Sequence, residues 1–393
     1  MKISWWDLGA RVLVAVLGVA AIVAGCGGGV GEGGTGNGYT QGTISGFGSI
    51  FVNDVRFDDS SAAVQDADGN PRTRDDLKLG MTVEVESGAI DAASATATAA
   101  KVRFGSELLG PVATVDAANG LLTMLGQTVQ VGAQTVFDES LAGGLAAVTA
   151  GDLLEVYASF DPATGRYRAT RIDPHAAGLD PYRLRGIVAS LDSGNQRLTI
   201  GAAQFDYAGA SGVPAALGAG SYVRLTIAKV AANTTRWTVT AFGSGTPSLP
   251  DSDESKLRGY VTIVSAPKLF SVNGVPVDAG GAEFPDGSAI SVGLRVEVEG
   301  PVRGGTVKAT RVSIRTDSEE SEHEFELDGS ITAIDTAGQT FVLRGVTVSY
   351  ANNPRVDQGK TVADLAVGQK VEVQGVLSSD GTRLEATRIS FDD

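Results

Sequence analysis

Few residues of this chain have the types and spacing that enzymatic chemistry requires. The sequence contains only two histidines, His175 and His323, and both lie in segments between the regular, strand-like stretches. A Ser-His pair or a His-ligated metal needs imidazoles held on rigid elements, so these positions argue against both. Carboxylate pairs are numerous but lie in predicted turns and linkers, and no GxSxG, HExxH, phosphate-binding loop or dinucleotide fingerprint occurs. The sequence therefore predicts a protein that is not an enzyme and that holds neither a metal nor a cofactor.

Cys26, the single cysteine, is the residue best placed for covalent chemistry. It follows the apolar run VLVAVLGVAAIVAG (residues 12–25), which fits a signal peptide. A membrane span needs roughly 20 apolar residues, so this run is short for one. Val23, Ala24 and Gly25 precede the cysteine, and the four residues resemble the lipobox at which bacterial lipoproteins are cleaved and acylated. A buried cysteine and a single-pass anchor are the alternatives.

The lipobox resemblance implies a location in the bacterial cell envelope. Acyl chains on Cys26 would hold the protein at a membrane, because each buried CH₂ group contributes about 0.8 kcal/mol. Gly27 follows the cysteine where an aspartate would imply inner-membrane retention, so the resemblance favours the outer membrane and leaves the periplasmic or surface face open. Residues 1–25 are then the signal peptide, and residues 26–41 are a glycine-rich, flexible tether.

The charge of the chain limits the classes of partner. The formal net charge is −15 at pH 7. General affinity for nucleic acid needs basic patches, so we expect no nucleic-acid partner. Besides the membrane, an envelope protein or a glycan is the partner class that remains.

A pattern of three anchors recurs five times at nearly constant spacing, which indicates tandem structural units. The second anchor is a glycine before an alternating strand, as in VGLRVEVEG and VGQKVEVQG, and the third is a closing strand such as ATRVSI or ATRISF. The first anchor is a glycine two residues before Ile or Val, at Gly42, Gly110, Gly186, Gly259 and Gly329. We predict five modules, with their linkers, over residues 42–108, 109–183, 184–256, 257–324 and 325–393.

Each module has the alternation of β-strands, with period two and turn residues between the runs. About five short strands per module favour a small closed barrel, since closure removes sheet edges that would otherwise pair between copies. A small β-sandwich is the alternative. The pattern from Gly42 to Phe391 resembles a family of uncharacterised bacterial lipoproteins with tandem copies of an OB-like domain of unknown function. This resemblance implies fold and location, and it implies no activity.

The copies differ at two outward-facing positions that change together. The alternating strand carries an acid and the closing strand a base in four copies, whereas the third copy has Arg224 and Val239 there. The simplest interpretation is a cross-strand ion pair worth roughly 0.2–1 kcal/mol. The predicted pairs are Glu84 with Lys101, Glu155 with Arg171, Glu297 with Arg311, and Glu372 with Arg388.

The third module is also the one with a basic, aromatic character. It contains Trp237, and strand parity places this side chain outward with Arg224 and Tyr222, beside Arg236. Such a cluster could stack on a sugar ring or make a cation–π contact of roughly 0.5–2 kcal/mol. The alternative is that Trp237 packs against a neighbouring module or on top of its own barrel, with Arg224 covering it.

Three functions are compatible with these patterns. The first is a non-enzymatic envelope lipoprotein whose string of barrels binds a partner or spans a distance. The second is a binder of an anionic saccharide or peptide centred on the third module. The third is single-stranded nucleic-acid binding, which OB barrels can perform but which the acidic composition opposes.

Overall fold

The chain divides into the unit Met1–Gly33 and a compact unit Gly34–Asp393. The computed structural model describes residues 37–176, 178, 181–229, 236–286, 289–316, 325–357 and 359–392. Their regular structure is β-sheet with four short 3-10 turns, and no α-helix occurs among them, which confirms the all-β prediction. In the same ranges, no helix is long and apolar enough to cross a membrane.

The strands form five consecutive groups, named here barrels 1 to 5. Barrel 1 contains β1 (Asn37–Phe47), β2 (Ile50–Val52), β3 (Val55–Asp58), β4 (Ala63–Asp66), β5 (Pro71–Arg72), β6 (Thr82–Gly88) and β7 (Thr96–Phe104). Barrel 2 contains β8 (Leu108–Asp116), β9 (Leu121–Met124), β10 (Gln127–Gln130), β11 (Val136–Phe137), β12 (Leu153–Asp161) and β13 (Arg166–Pro174). Barrel 3 contains β14 (Tyr182–Ile187), β15 (Ser190–Asp192), β16 (Arg197–Ile200), β17 (Ala203–Asp206), β18 (Tyr222–Ile227) and β19 (Arg236–Ser244).

The last two groups follow the same order. Barrel 4 contains β20 (Glu254–Ala266), β21 (Leu269–Val272), β22 (Val275–Asp278), β23 (Arg295–Glu299), β24 (Val302–Arg303), β25 (Thr306–Lys308) and β26 (Arg311–Ile314). Barrel 5 contains β27 (Phe325–Asp335), β28 (Thr340–Leu343), β29 (Val346–Ser349), β30 (Arg355–Val356), β31 (Lys370–Leu377) and β32 (Leu384–Phe391). The 3-10 turns span Arg74–Asp76, Ala117–Asn119, Gly144–Ala147 and Val362–Asp364.

Each group closes on itself with the strand order of an OB barrel. In barrel 5, β27 pairs with both β28 and β31, and β28 pairs in turn with β29. The ring is completed because β31 pairs antiparallel with β32, while β29 runs parallel to β32. The same parallel closure joins β3 to β7, β10 to β13, β17 to β19, and β22 to β25. The small closed barrel is therefore confirmed, and the sandwich alternative is wrong.

The two recurring glycines have separate structural reasons. At the second anchor, the glycines of all five copies adopt positive φ values between 82° and 97°, a left-handed bend that side chains disfavour. At the first anchor, a Cβ atom would collide with another side chain: Asn53 at Gly42, and Asn273 at Gly259. The first glycine thus provides room beneath the turn between the second and third barrel strands.

Neighbouring barrels share sheet edges, so the prediction that closure would prevent pairing between copies is wrong. Residues Gly38–Gln41 of β1 pair in parallel with Glu254–Leu257 of β20, and Gly46 and Phe47 pair with β27. Strands β8 and β14 pair as well. The first strand of a copy is longer than its barrel needs, and its unpaired end is satisfied by another copy. The tether prediction fails for residues 37–41, because they belong to β1.

The apolar cores merge across the barrels in the same way. Barrels 1 and 5 contribute to one continuous cluster of buried residues, and barrels 2 and 3 contribute to a second. Barrel 4 has its own core, which Tyr39 from β1 completes. Burial of apolar surface between copies stabilises a compact body of barrels rather than an extended string.

Candidate functional site

A cavity of about 190 Å³ lies where the five barrels meet. Every barrel contributes to its lining, through residues such as Arg103, Arg168, Tyr222, Arg258 and Phe325. The cavity exists only because the copies pack around a common centre. It is therefore a property of the assembled chain and of no single repeat.

The cavity lining has more cationic than anionic side chains. Five arginines and three acids contribute to it: Arg103, Arg168, Arg185, Arg258, Arg295, Asp54, Glu84 and Glu107. Neutral polar side chains, among them Ser159 and Thr43, occupy other parts of the wall. The site is thus polar and locally cationic inside an acidic protein.

Two ion pairs line the cavity, one within barrel 1 and one between barrel 3 and the β7–β8 connection. Nη1 of Arg103 donates to Glu84 at 3.3 Å, and Nη1 of Arg185 donates to Glu107, in the β7–β8 connection, at 3.2 Å. Burial raises the pKa of both carboxyl groups above the ordinary glutamate range, although the arginines oppose this shift. The Tyr222 hydroxyl also interacts with Glu107, and burial raises the pKa of this tyrosine. The pairs are therefore held in a poorly solvated place.

Barrel 4 contributes a second charged group to the cavity wall. Arg258 donates to Glu297 through Nε at 2.9 Å and to Asp54 of barrel 1 through Nη2 at 2.7 Å. Arg315 and Lys256 also approach Glu297. Burial would raise the pKa of Glu297, but Arg258 and its other cationic neighbours hold this pKa below the usual range. Glu297 therefore stays ionised and orients Arg258 at the cavity wall.

An aromatic surface completes the wall between barrels 2 and 4. The guanidinium of Arg168 lies 5.8 Å from the ring centre of Tyr260, which is a cation–π distance. Phe160 also lines the cavity and packs against the buried Tyr167, with ring centres 4.9 Å apart. The cavity wall thus contains aromatic side chains as well as charged groups.

The aromatic cluster predicted on the third module is not a surface site. Trp237 is 1% exposed and packs edge-on against Tyr182 in the shared core of barrels 2 and 3. The outward prediction is wrong because Arg236 and Thr238 take the exposed positions of β19, which turns Trp237 inward. Arg224 bonds to Asp68 of barrel 1 at 2.8 Å, and Arg236 is exposed at the start of β19. Of this group, only Tyr222 lines the cavity.

The four predicted ion pairs have the wrong register. In barrel 1, Glu84 lies opposite Arg103 and bonds to it, while Lys101 lies opposite Glu86 and bonds to that residue at 2.9 Å. In barrel 5, Glu372 lies opposite Ser390, and Arg388 binds Asp357 instead. The strands are neighbours as predicted, but each base is two residues away from the expected acid.

Barrels 2 and 4 show the same displacement of two residues. Glu155 lies opposite Asp173 and approaches His175 at 3.9 Å, whereas the buried Arg171 pairs with Asp173 at 2.6 Å. Arg311 lies opposite Glu299 and donates to Ser313, and Glu297 belongs to the Arg258 group. The predicted bases are therefore used elsewhere, and Glu84 and Glu297 gain a role at the cavity.

Several cavity residues were missed because the repeat comparison emphasised glycines. The echo LRG occurs at Leu184–Gly186 and Leu257–Gly259, and its arginines Arg185 and Arg258 both line the cavity. In the first copy the same position is Gln41, which lines the cavity too. In these three copies, the residue before the first-anchor glycine lines the cavity and could have indicated the site.

Two other predictions concern lipidation and metals. The lipobox residues Val23, Ala24, Gly25 and Cys26 lie outside the described residues. Within the described ranges, no group of His, Cys, Asp and Glu side chains could hold a metal ion.

Three segments of the chain, residues 110–173, 258–313 and 328–390, match a family model described as a domain of unknown function (DUF5666). They fall in barrels 2, 4 and 5. The chain is thus a repeat protein with three segments that are similar to this domain. No curated protein matches the chain.

Proposed function

We propose that this protein is a non-catalytic binding protein of the bacterial cell envelope, which holds a small anionic molecule in the cavity between its barrels. The observation that carries the proposal is the central cavity itself. It is lined by all five barrels, and arginines outnumber acids in its wall although the net charge of the chain is −15. A concave, polar site at the meeting point of several units is a common place for ligand binding.

The proposed location rests on the start of the chain. Cys26 follows a short apolar run and three small residues, as acylated cysteines of bacterial lipoproteins do. Acylation there would attach the barrels to a membrane, and the following glycine favours the outer membrane.

The other candidate functions have less support. A pure spacer would need no cationic cavity, and an extended string is not the arrangement of these barrels. An anionic ligand centred on the third module is partly retained, because Arg185 and Tyr222 of barrel 3 line the cavity. A nucleic-acid strand would need an open basic groove with stacking aromatics, and the cavity offers too little length for a strand.

Native mass spectrometry of the full chain, purified from membranes in mild detergent, would test both parts of the proposal. We expect a mass increment from acyl chains on Cys26 and a small bound molecule that dissociates on activation. The variant Cys26→Ser should lose the acyl chains and the membrane fraction. The variant Ser159→Trp places a large side chain in the cavity and should lose the bound molecule, whereas Ser159→Ala leaves the cavity open and should retain it.

Two results would contradict the proposal. An unmodified Cys26 thiol in the purified native protein would remove the membrane anchor. A small molecule that remains bound in Ser159→Trp, in a variant with an unchanged far-ultraviolet spectrum, would place binding outside the cavity.

A further inference from the structure

The excess of arginines in the central cavity is local. Five arginines face three acids in its lining, whereas acidic residues outnumber basic ones over the whole chain, 46 to 31. A concave region of opposite sign within an acidic protein concentrates anionic solutes. The charge of the lining therefore points to an anion and not to a neutral or cationic ligand.

Arg103 retains hydrogen-bonding capacity that its protein partners do not use. Its Nη1 bonds to Glu84 at 3.3 Å, and its Nε and Nη2 make no hydrogen bond within the described ranges. The side chain is 23% exposed, so a molecule in the cavity can reach it. A planar guanidinium binds a carboxylate through two parallel hydrogen bonds, which a lysine cannot do.

The neutral part of the lining fits a molecule with several hydroxyl groups. Hydroxyl and amide side chains surround the charged groups: Gln41, Thr43, Ser45, Asn53, Ser159 and Thr170. Phe160, which is partly exposed, adds an aromatic ring to the lining. A sugar ring presents both surfaces at once, since its hydroxyl edge can bond to polar groups while its carbon–hydrogen face packs on an aromatic ring.

The size of the cavity limits the ligand to about one ring. Its volume is about 190 Å³. Pockets for drug-sized ligands measure roughly 300–1,000 Å³. A peptide or an oligosaccharide would not fit between the barrels without separating them.

We propose that the ligand is a single sugar acid of the uronate type, with its carboxylate on Arg103 and its ring beside Phe160. This inference rests on the proposed binding function and specifies the chemical class of the ligand. The carboxylate would bind Nε and Nη2 of Arg103, which Glu84 leaves unused. Ligand binding would therefore add a bidentate contact and keep the Arg103–Glu84 pair.

Isothermal titration of the full chain with D-glucuronate, D-glucose and acetate separates the two parts of the ligand. We expect D-glucuronate to bind, and the neutral sugar and the simple carboxylate to bind at least tenfold more weakly. The affinity for D-glucuronate should fall as salt is added, because screening weakens the contact with Arg103.

Three variants locate the contact. Arg103→Lys keeps the charge but removes the planar guanidinium that can make two parallel hydrogen bonds. It should weaken D-glucuronate binding by about tenfold. Ser159→Trp should abolish binding, and its matched control Ser193→Trp, in an exposed turn outside the cavity, should leave the affinity unchanged. Melting temperatures measured for each variant show whether the fold is intact, so that a loss of binding is attributed to the site.

Each contrary result has a distinct meaning. Equal affinity for D-glucose and D-glucuronate, or an unchanged affinity in Arg103→Lys, overturns the assignment of a sugar acid. Failure of D-glucuronate to bind, together with a copurified molecule that Ser159→Trp excludes, overturns the ligand class and leaves the binding function in place. If D-glucuronate does not bind and no copurified molecule is found, both the ligand class and the binding function are overturned.

Discussion

Glu297 illustrates how a buried acid is retained by several cations. Its side chain is 5% exposed, and Arg258, Arg315 and Lys256 surround it. Removal of one partner from a buried ion pair is costly because the remaining charge stays unpaired. In this chain the remaining charge would be Arg258, which also bonds to barrel 1 through Asp54.

We predict that Glu297→Gln lowers the free energy of unfolding by about 3 kcal/mol at neutral pH. The pKa of Glu297 is lowered from its ordinary value of 4.5 by its cationic neighbours, against the effect of burial. Its contribution is therefore complete above pH 4.5 and is lost as the pH falls through the folded-state pKa. Urea titrations at pH 7 and at steps below pH 4.5 should show the difference between wild type and variant shrinking with acidification.

Glu299 provides the control on the same strand. It is 39% exposed and approaches Lys256 at 3.6 Å. Because exposed pairs contribute little, Glu299→Gln should change the free energy of unfolding by less than about 1 kcal/mol at either pH. A Glu297→Gln effect that is equally large at low pH would mean that shape, and not charge, is responsible.

Arg224 shows what a departure from a repeat consensus can mean. The third copy replaces the usual glutamate with Arg224, and the structure places it opposite Arg185 and in contact with Asp68 of barrel 1. The exception in the sequence thus marks a contact between copies. The sequence revealed the exception, but only the packing of barrel 3 on barrel 1 explains it.

At the scale of the elements, the sequence predicted the strands and the closed barrels better than their register. Period-two alternation identifies which residues face the core, and a shift of two residues leaves every face unchanged. The hydrophobic pattern therefore could not distinguish Glu84 opposite Lys101 from the observed Glu86 opposite Lys101. The closing hairpins of four barrels also contain irregularities in register, which the sequence does not mark.

The wrong prediction that Trp237 faces outward has a different cause, because the sequence contained the information needed to place it. Arg236, Thr238 and Thr240 alternate with Trp237 and Val239, and this alternation alone predicts that the tryptophan faces inward. The repeat comparison aligned Val239 with exposed bases and outweighed the local pattern. The central cavity could not be predicted, because it depends on how separate barrels pack.

The contribution of the contact between β1 and β27 to stability can be tested by adding a single methyl group at Gly46. A Cβ atom on Gly46 would lie against the Glu326 carbonyl, closer than packed atoms approach, and the backbone has no room to yield. We predict that Gly46→Ala lowers the free energy of unfolding by about 2 kcal/mol, as overpacking does.

Gly88→Ala is the matched control, because this strand glycine of barrel 1 has open space around it. It should be neutral or slightly stabilising, since alanine restricts the unfolded chain. Denaturant unfolding of both variants measures the difference between their free energies of unfolding. Equal stability of the two variants would show that the contact between β1 and β27 is dispensable.

At the scale of the whole molecule, shared edges and merged cores predict a compact particle in solution. For the unit Gly34–Asp393, we expect a radius of gyration of about 21 Å by small-angle X-ray scattering. Five barrels in an extended string would give about twice that value. A radius near the larger value would mean that the barrels separate in solution, and the cavity between them would be lost.

The pairing of β1 has a consequence for how the chain is made. Barrel 1 leaves the ribosome first, but Asn53 donates to Lys256, 203 positions later, and Arg56 meets Asp328, 272 positions later. Until those later residues are made, the edge of β1 has unpaired backbone N–H and C=O groups. These groups can pair with any other extended chain. A chain that ends before β20 would therefore leave this edge of β1 open to pairing between molecules, and we expect such a fragment to aggregate.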